Sequence, residues 1–364
     1  MYPEAKRFHP SLDFFKAIEQ RAHAYSSLPK DFDPLTATDT QLERYGLPSR
    51  PDRDKEPDLF GFWTRLLGKP LEVVTAKFPE PHGEKLRSIP LTRVGRGEPR
   101  GFRHFERSRN WSGAYIVPQR PDMFVHVTGS WHVPRPSLPP VLPEGVTAYE
   151  QYQSSTWIGI DGHRRYPNSS MPQIGTSQCI EMIDGVEKIS THAWWQWWSL
   201  DDSYPPNNRN NPPVPITEIP VSLNDEMMAG VTVRSADEVH FYIKNQTTGL
   251  FTSFLVIAPG PILPLGATAE WIVERPTVIG ERHLYPLPNY TDVVFRDCFA
   301  QSAPSIGAPA KTCRLRRARL IRMFETFSDP HRMSFVSLPR QLSNSSLQVS
   351  YRDASGPGSG GLLT

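Results

Sequence analysis

Cysteine is scarce in this 364-residue chain, which carries only Cys179, Cys298 and Cys313. An odd count with no close CxxC pair argues against a disulfide framework or a zinc site. Free buried thiols are the expected state, with one bridge left open. No stretch approaches the ~20 apolar residues that span a bilayer, so no membrane partner is expected. The opening run MYPEAKRFHPSLDFF holds no apolar segment of signal-peptide length, so export is not written in it. Net charge is only +2, too little for the basic footprint of a nucleic-acid partner. Several catalytic signatures are also missing. There is no HExxH of a zincin, no GxSxG elbow and no Asp-Thr-Gly or Asp-Ser-Gly pair. A Ser–His–Asp triad stays open, because its members scatter along a chain. Nothing calls for a metal or a cofactor.

Proline, in contrast, is abundant, with 38 residues, roughly twice the average share of ~5%. Proline removes a backbone donor and breaks helix interiors. A chain that is also 38% hydrophobic and 11% aromatic should therefore fold as strands joined by long loops. From Asn110 onward the texture is of short strand-like runs: Trp111–Val117, Met123–Val133, Thr156–Ile160, Ala193–Trp198, Glu218–Val221, Met227–Val233, His240–Lys244, Thr252–Ala258, Ala269–Glu274 and Val293–Asp297. Turn-forming tracts separate them, among them Pro134–Pro143, Tyr204–Pro215, Pro259–Gly266 and Ser302–Pro309. This pattern predicts an all-β, antiparallel sandwich or barrel.

Residues 1–105 read differently, as a mostly irregular or helical leader. Leu12, Phe15, Ile18 and Ala22 fall at helical spacing and predict a helix near 11–25. The tract Ser88–Arg109 carries six arginines, from Arg93 to Arg109. It reads as a solvated basic linker, or as an inhibitory leader whose cations sit on an acidic cleft until the carboxylates protonate. The main domain then covers 106–352, and the Gly/Ser-rich residues 353–364 form a disordered tail.

Alternation places side chains on the strands. In Thr268–Glu274, Glu270, Ile272 and Glu274 share one face, and Ala269, Trp271 and Val273 take the other, apolar face. In Trp157–Asp161, Trp157, Gly159 and Asp161 oppose Ile158 and Ile160. Trp194, Trp195, Trp197 and Trp198 must divide two and two between the faces. One sheet face is thus wholly apolar. The other mixes Trp, Asp and Glu, as the floor of a peptide-binding groove would.

An ordered set of short motifs resembles the eqolisin family of glutamic peptidases. The set runs NWSG at Asn110, VTGSWHVP at Val127, TWIGIDG at Thr156 and QIGT at Gln173. It continues with AWWQWW at Ala193, IPVSLNDEM at Ile219, NQTTG at Asn245 and TAEWIVE at Thr268. Each piece alone is weak, but their order and spacing resemble the family across residues 108–352. The resemblance implies a concanavalin-like two-sheet antiparallel β-sandwich that binds an extended peptide. It implies an endopeptidase acting at acid pH, whose catalytic pair is Gln173 and Glu270. Glu270 takes a proton from water and passes it to the leaving nitrogen, while Gln173 supplies an amide donor to the oxyanion.

Around that pair, Trp157, Asp161 and Gln196 are expected to contribute to substrate binding. Trp157 walls the groove, and Asp161 either orients Gln173 or holds the tight Asp-Gly turn. Glu274 is expected as a surface or supporting carboxylate. Gln196 stands where fungal members resembling this sequence carry an acidic residue, which loosens the expectation of a strongly acidic optimum. The expected partners are polypeptide substrates, the expected state is a monomer, and family resemblance alone implies secretion. Five sequons, at Asn110, Asn168, Asn245, Asn289 and Asn344, matter only in a glycosylating pathway. The competing reading is a non-catalytic β-sandwich that binds carbohydrate or peptide through exposed tryptophans.

Overall fold

The computed structural model describes residues 19–78, 105–140, 150–163, 170–198, 213–258, 263–277, 284–326 and 333–353. Its strands form two stacked, mostly antiparallel sheets, as expected. The front sheet runs Val214–Ile216, Val186–Trp198, Met171–Ile183, Gln151–Ile160, Ala269–Glu274, Trp111–Ile116 and Arg319–Thr326. Phe105–Ser108, parallel to Arg319–Thr326, and then Met333–Gln341 and Leu347–Tyr351 extend it. The back sheet runs Leu250–Ile257, Glu238–Asn245, Glu226–Val233, Met123–His132, Val293–Ala303 and Lys311–Cys313. Val293–Ala303 starts beside Leu347–Tyr351, shifts register between Arg296 and Phe299, and continues beside Met123–His132, joining the two sheets.

Between the sheets lie Trp131, Trp195, Trp197, Trp271, Phe241, Phe254 and Phe295, with Ile158, Ile160, Ala269 and Val273. Each large apolar side chain taken out of water contributes roughly 1.5–3 kcal/mol, so this shared core dominates the stability. The division of the tryptophans follows the period of two: Trp195 and Trp197 enter the core, and Trp194 joins Trp111, Trp157 and Ile272 on the outer face of the front sheet, with Trp198 packed beside them. All three cysteines are free. No helix among the described residues is long and apolar enough to cross a membrane.

Three expectations about elements need correction. Glu218–Val221 is a turn, and the strand there is Val214–Ile216, inside the tract read as loop. Pro215 fits because this strand is an edge, paired on one side only, where a missing N–H costs no ladder bond. Met171–Ile183 is a 13-residue strand that the sequence pattern concealed. Pro172 and Gly175 made its start look like a loop, yet Pro172 lies just beyond the end of the pairing with Gln151–Ile160. Finally, of the expected helix near 11–25, residues 19–21 are helical, but Ala22–Ala24 form a strand on the edge of Leu250–Ile257; residues 1–18 lie outside the described residues.

Most of the segment 19–78 packs on the outer face of the back sheet, while Ala76 and Phe78 reach the core between the sheets. Beyond residues 19–21 it contributes two helices, Asp39–Arg44 (α1) and Pro57–Leu67 (α2). A reciprocal Thr38–Gln41 capping box starts α1, and Pro57 occupies the first turn of α2, where its missing N–H has no partner to lose. Leu42, Leu59, Phe62, Trp63, Leu66 and Leu67 are buried against Met228, Tyr242, Phe251 and Phe299. Of the arginine tract, only Arg107 and Arg109 lie within the described residues.

Candidate active site

Residues directly opposite one another on neighbouring strands project to the same face. On the front sheet one such row reads Arg319, Tyr115, Glu270, Gly159, Gln173 and Gln196 across six strands. Glu270 and Gln173 are therefore separated by a single strand, about 10 Å between α-carbons. The residue between them is a glycine. A Cβ on Gly159 would come within 3.1 Å of Gln173 Cβ, 3.1 Å of the Trp157 ring and 3.0 Å of the Pro172 carbonyl. The missing side chain leaves the gap across which the two functional groups face each other.

Hydrogen bonding distinguishes the two ends of the gap. Gln173 Nε2 donates to Gln196 Oε1 at 2.6 Å. Turning both amides over reverses the roles, with Gln196 donating to Gln173 Oε1 and Gln173 Nε2 directed elsewhere. Glu270 Oε1, Glu270 Oε2 and Gln173 Oε1 are buried with no hydrogen-bond partner among the described residues. Burial pushes the Glu270 carboxyl well above its usual range, and the Asp161 charge pushes it further. Thr268 lies near enough to offset part of this, although its hydroxyl makes no hydrogen bond of ordinary geometry. A buried carboxyl of raised pKa facing an amide is suited to holding and deprotonating a water.

The other expected site residues have well-defined contacts. The Asp161 backbone is left-handed, with φ 69°. Its Oδ2 accepts from the N–H groups of Leu265 at 2.6 Å and Gly266 at 3.0 Å, and Oδ1 from Ala267 at 2.6 Å. Asp161 thus ties down the loop that leads directly into the Glu270 strand, and makes no bond to Gln173. Burial raises its pKa to about 6, against the lowering effect of those N–H groups. Trp157 donates from Nε1 to Glu274 Oε2 at 2.8 Å and meets the Trp111 ring edge-to-face at 5.1 Å. Glu274 also accepts from Asn110 Nδ2 at 3.1 Å. Of the two roles open to Glu274, the supporting one is observed: it is fully buried, and burial raises its pKa to about 8.

The row is covered. Gln173, Glu270, Gln196, Asp161 and Trp157 are all out of solvent contact, so the face expected as the floor of an open groove is enclosed here. One neighbouring cluster escaped the sequence reading. The Tyr115 hydroxyl donates to Glu106 Oε1 at 2.6 Å, His163 Nε2 lies 3.1 Å from Glu106 Oε2, and the His163 ring stacks on Tyr115 at 4.3 Å. Tyr115 was within reach, because alternation from Trp111 through Gly113 puts it on this face. Glu106 precedes every motif and carried no signal. Two sequons are also accounted for: Asn110 and Asn245 are buried, and their amides donate to Glu274 and Asp225.

The sequence model of the Peptidase A4 family matches residues 109–322. Similar solved structures include a scytalido-glutamic peptidase with a transition-state analogue, at 19% identity and TM-score 0.49, covering 67% of this chain and 98% of that one. SCP-B, an eqolisin in complex with the tripeptide Ala-Ile-His, gives 19% identity and TM-score 0.47 over 67% and 98%. The aspergilloglutamic peptidase of Aspergillus niger gives 23% identity and TM-score 0.43 over 55% and 99%. No curated protein matches significantly.

Proposed function

The chain belongs to the Peptidase A4 family, and we propose that it is an endopeptidase in which Glu270 and Gln173 act together on a water and a peptide carbonyl. The observation that carries this reading is their placement in one cross-strand row with only Gly159 between. Ionised Glu270 takes a proton from the attacking water. Protonated Glu270 then delivers it to the leaving nitrogen, a contribution of about 10²–10⁴-fold. The Gln173 amide holds the oxyanion, and one well-aimed donor of this kind contributes on the order of 10²–10³-fold. A neutral amide partner avoids the carboxylate–carboxylate repulsion of an acidic dyad.

The substrates are polypeptides. We assign the working range to the acid side of neutrality, the chain to a secreted location and the active species to a monomer. The binding-module alternative loses its main support, because eight of the nine tryptophans are buried and Trp198 is only partly exposed.

The test is digestion of denatured protein from about pH 2 to about 7 by the wild type, Gln173→Ala and Glu270→Gln. Both variants should lose activity by the factors above. Equal cleavage by all three proteins sinks the assignment.

A further inference from the structure

We infer that Glu106, which lies outside the part of the chain matched by the family model, is a positioning residue for the reaction: it captures the Tyr115 hydroxyl and so leaves both oxygens of Glu270 open to water and substrate. The inference rests on the peptidase reading of Glu270 and Gln173 and adds a residue to it.

Tyr115 and Gly159 are the two cross-strand neighbours of Glu270. Gly159 has no side chain, so of the two only Tyr115 can reach the Glu270 carboxyl. Residues directly opposite on antiparallel strands start about 4.5–5.5 Å apart at Cβ, well within the length of a tyrosine. A hydroxyl turned that way would donate to the Glu270 carboxylate, favour its charged form and weaken it as a base. It would also occupy an oxygen that the attacking water needs. Asp161 and Thr268 are the other polar groups that bear on Glu270.

The hydroxyl is turned to another acceptor. It donates to Glu106 Oε1 at 2.6 Å, the length of a charge-assisted O–H···O⁻ bond. A phenol has one proton to donate, so Glu270 receives none from it, and neither Glu270 oxygen has a hydrogen-bond partner among the described residues. Separate segments make the capture. Glu106 comes from Phe105–Ser108, in register with Ile321 of Arg319–Thr326. His163 follows the left-handed turn at Asp161 and Gly162, with φ 69° and 84°. Its ring stacks on Tyr115 at 4.3 Å, and its Nε2 lies 3.1 Å from Glu106 Oε2. Arg319, opposite Tyr115 in the row, brings Nη1 to 3.9 Å from Glu106 Oε1. Tyr115 and His163 are buried, and the Glu106 side chain is only 11% exposed. The stacked imidazole thus resists a swing of the tyrosine ring, while His163 and Arg319 hold the accepting carboxylate in place.

The test compares Glu106→Leu, Glu106→Gln and the double variant Glu106→Leu/Tyr115→Phe in the full chain, with denatured protein as substrate. Leucine at 106 releases the hydroxyl toward Glu270. The value of kcat should then fall roughly 3- to 10-fold, and the acid limb of kcat/KM should move down by about one pH unit. Removing the hydroxyl as well should bring both back to the level of Glu106→Gln, which loses the same charge but keeps an accepting oxygen. A merely structural role for Glu106 gives no such rescue. Wild-type kinetics in Glu106→Leu, or equal values in Glu106→Leu and the double variant, overturn the inference. A second measurement needs neither activity nor the leucine variants: carbon-13 NMR of the tyrosine Cζ atoms. The Tyr115 signal, identified by its loss in Tyr115→Phe, should move more in Glu106→Gln than in Glu270→Gln. Equal movement, or the reverse order, overturns the inference. The peptidase reading fails separately, if Glu270→Gln cleaves as well as the wild type.

Discussion

Gly159 lies directly between Glu270 and Gln173 in the cross-strand register, and the space that its absent side chain leaves is the only gap between them in that row. Adding a methyl group there presses on Gln173 Cβ and the Trp157 ring, both within 3.1 Å of the new atom. Gly159→Ala should therefore displace Gln173 while the strand still pairs. We expect kcat/KM to fall by about 10²-fold, the usual effect of a displacement near 1 Å, with only a small change in Tm. Unchanged kcat/KM would show that nothing reacts over that gap.

The pH profile follows from Glu270. Its carboxyl titrates well above the ordinary range, because burial disfavours the charge and Asp161 adds to it. As the base it must be ionised, so the acid limb of kcat/KM should lie above ~4.3, the unperturbed glutamate value. Asp161→Asn removes a negative charge that raises Glu270, and should move that limb to lower pH. A limb that stays in place in the variant removes Asp161 from the electrostatics of the site.

Asp161→Asn has a separate effect on stability. One carboxylate oxygen of three accepted N–H bonds becomes an NH₂ facing backbone donors. Losing charge-assisted bonds of this kind costs about 1.5–3 kcal/mol each. Chemical denaturation should show a loss of that order, with the 265–268 loop more open to proteolysis.

Glu274 sets a second pH dependence. Its carboxyl rises from 4.5 to about 8 on folding, so between those values the folded chain holds a proton that the unfolded chain releases. Stability from this group is complete below about pH 4.5 and declines as pH rises toward 8. Tm measured against pH should fall less steeply over that window in Glu274→Gln, by up to about 1.4 kcal/mol per pH unit. Near-ultraviolet circular dichroism should report movement of Trp157, whose indole loses a carboxylate acceptor.

Glycan placement follows from burial. In a glycosylating host, Asn344, which is exposed, should accept glycan, whereas Asn110 and Asn245, both buried and hydrogen-bonded, should not. Peptide mapping checks this directly.

Local periodicity was legible in the residues themselves. The alternation of Ala269, Trp271 and Val273 against Glu270, Ile272 and Glu274, and of Trp195 and Trp197 against Trp194, holds in the fold. A strand exposes successive side chains to opposite faces whatever its neighbours are. The motif order from Asn110 to Glu274 likewise pointed to the right family.

Everything that depends on distant pairing was decided by the tertiary structure. The sequence contains Gln173 and Glu270, but only strand order and register put Gly159 between them. Asp161 gave no sign that its carboxylate would hold residues 265–267, 104 and more positions away. Nor could helical spacing in 1–105 reveal that α1 and α2 cover Met228, Tyr242 and Phe251 on the back sheet. Side-chain period is a property of the backbone within a few residues, whereas burial and register are set by whichever segments the whole chain brings together.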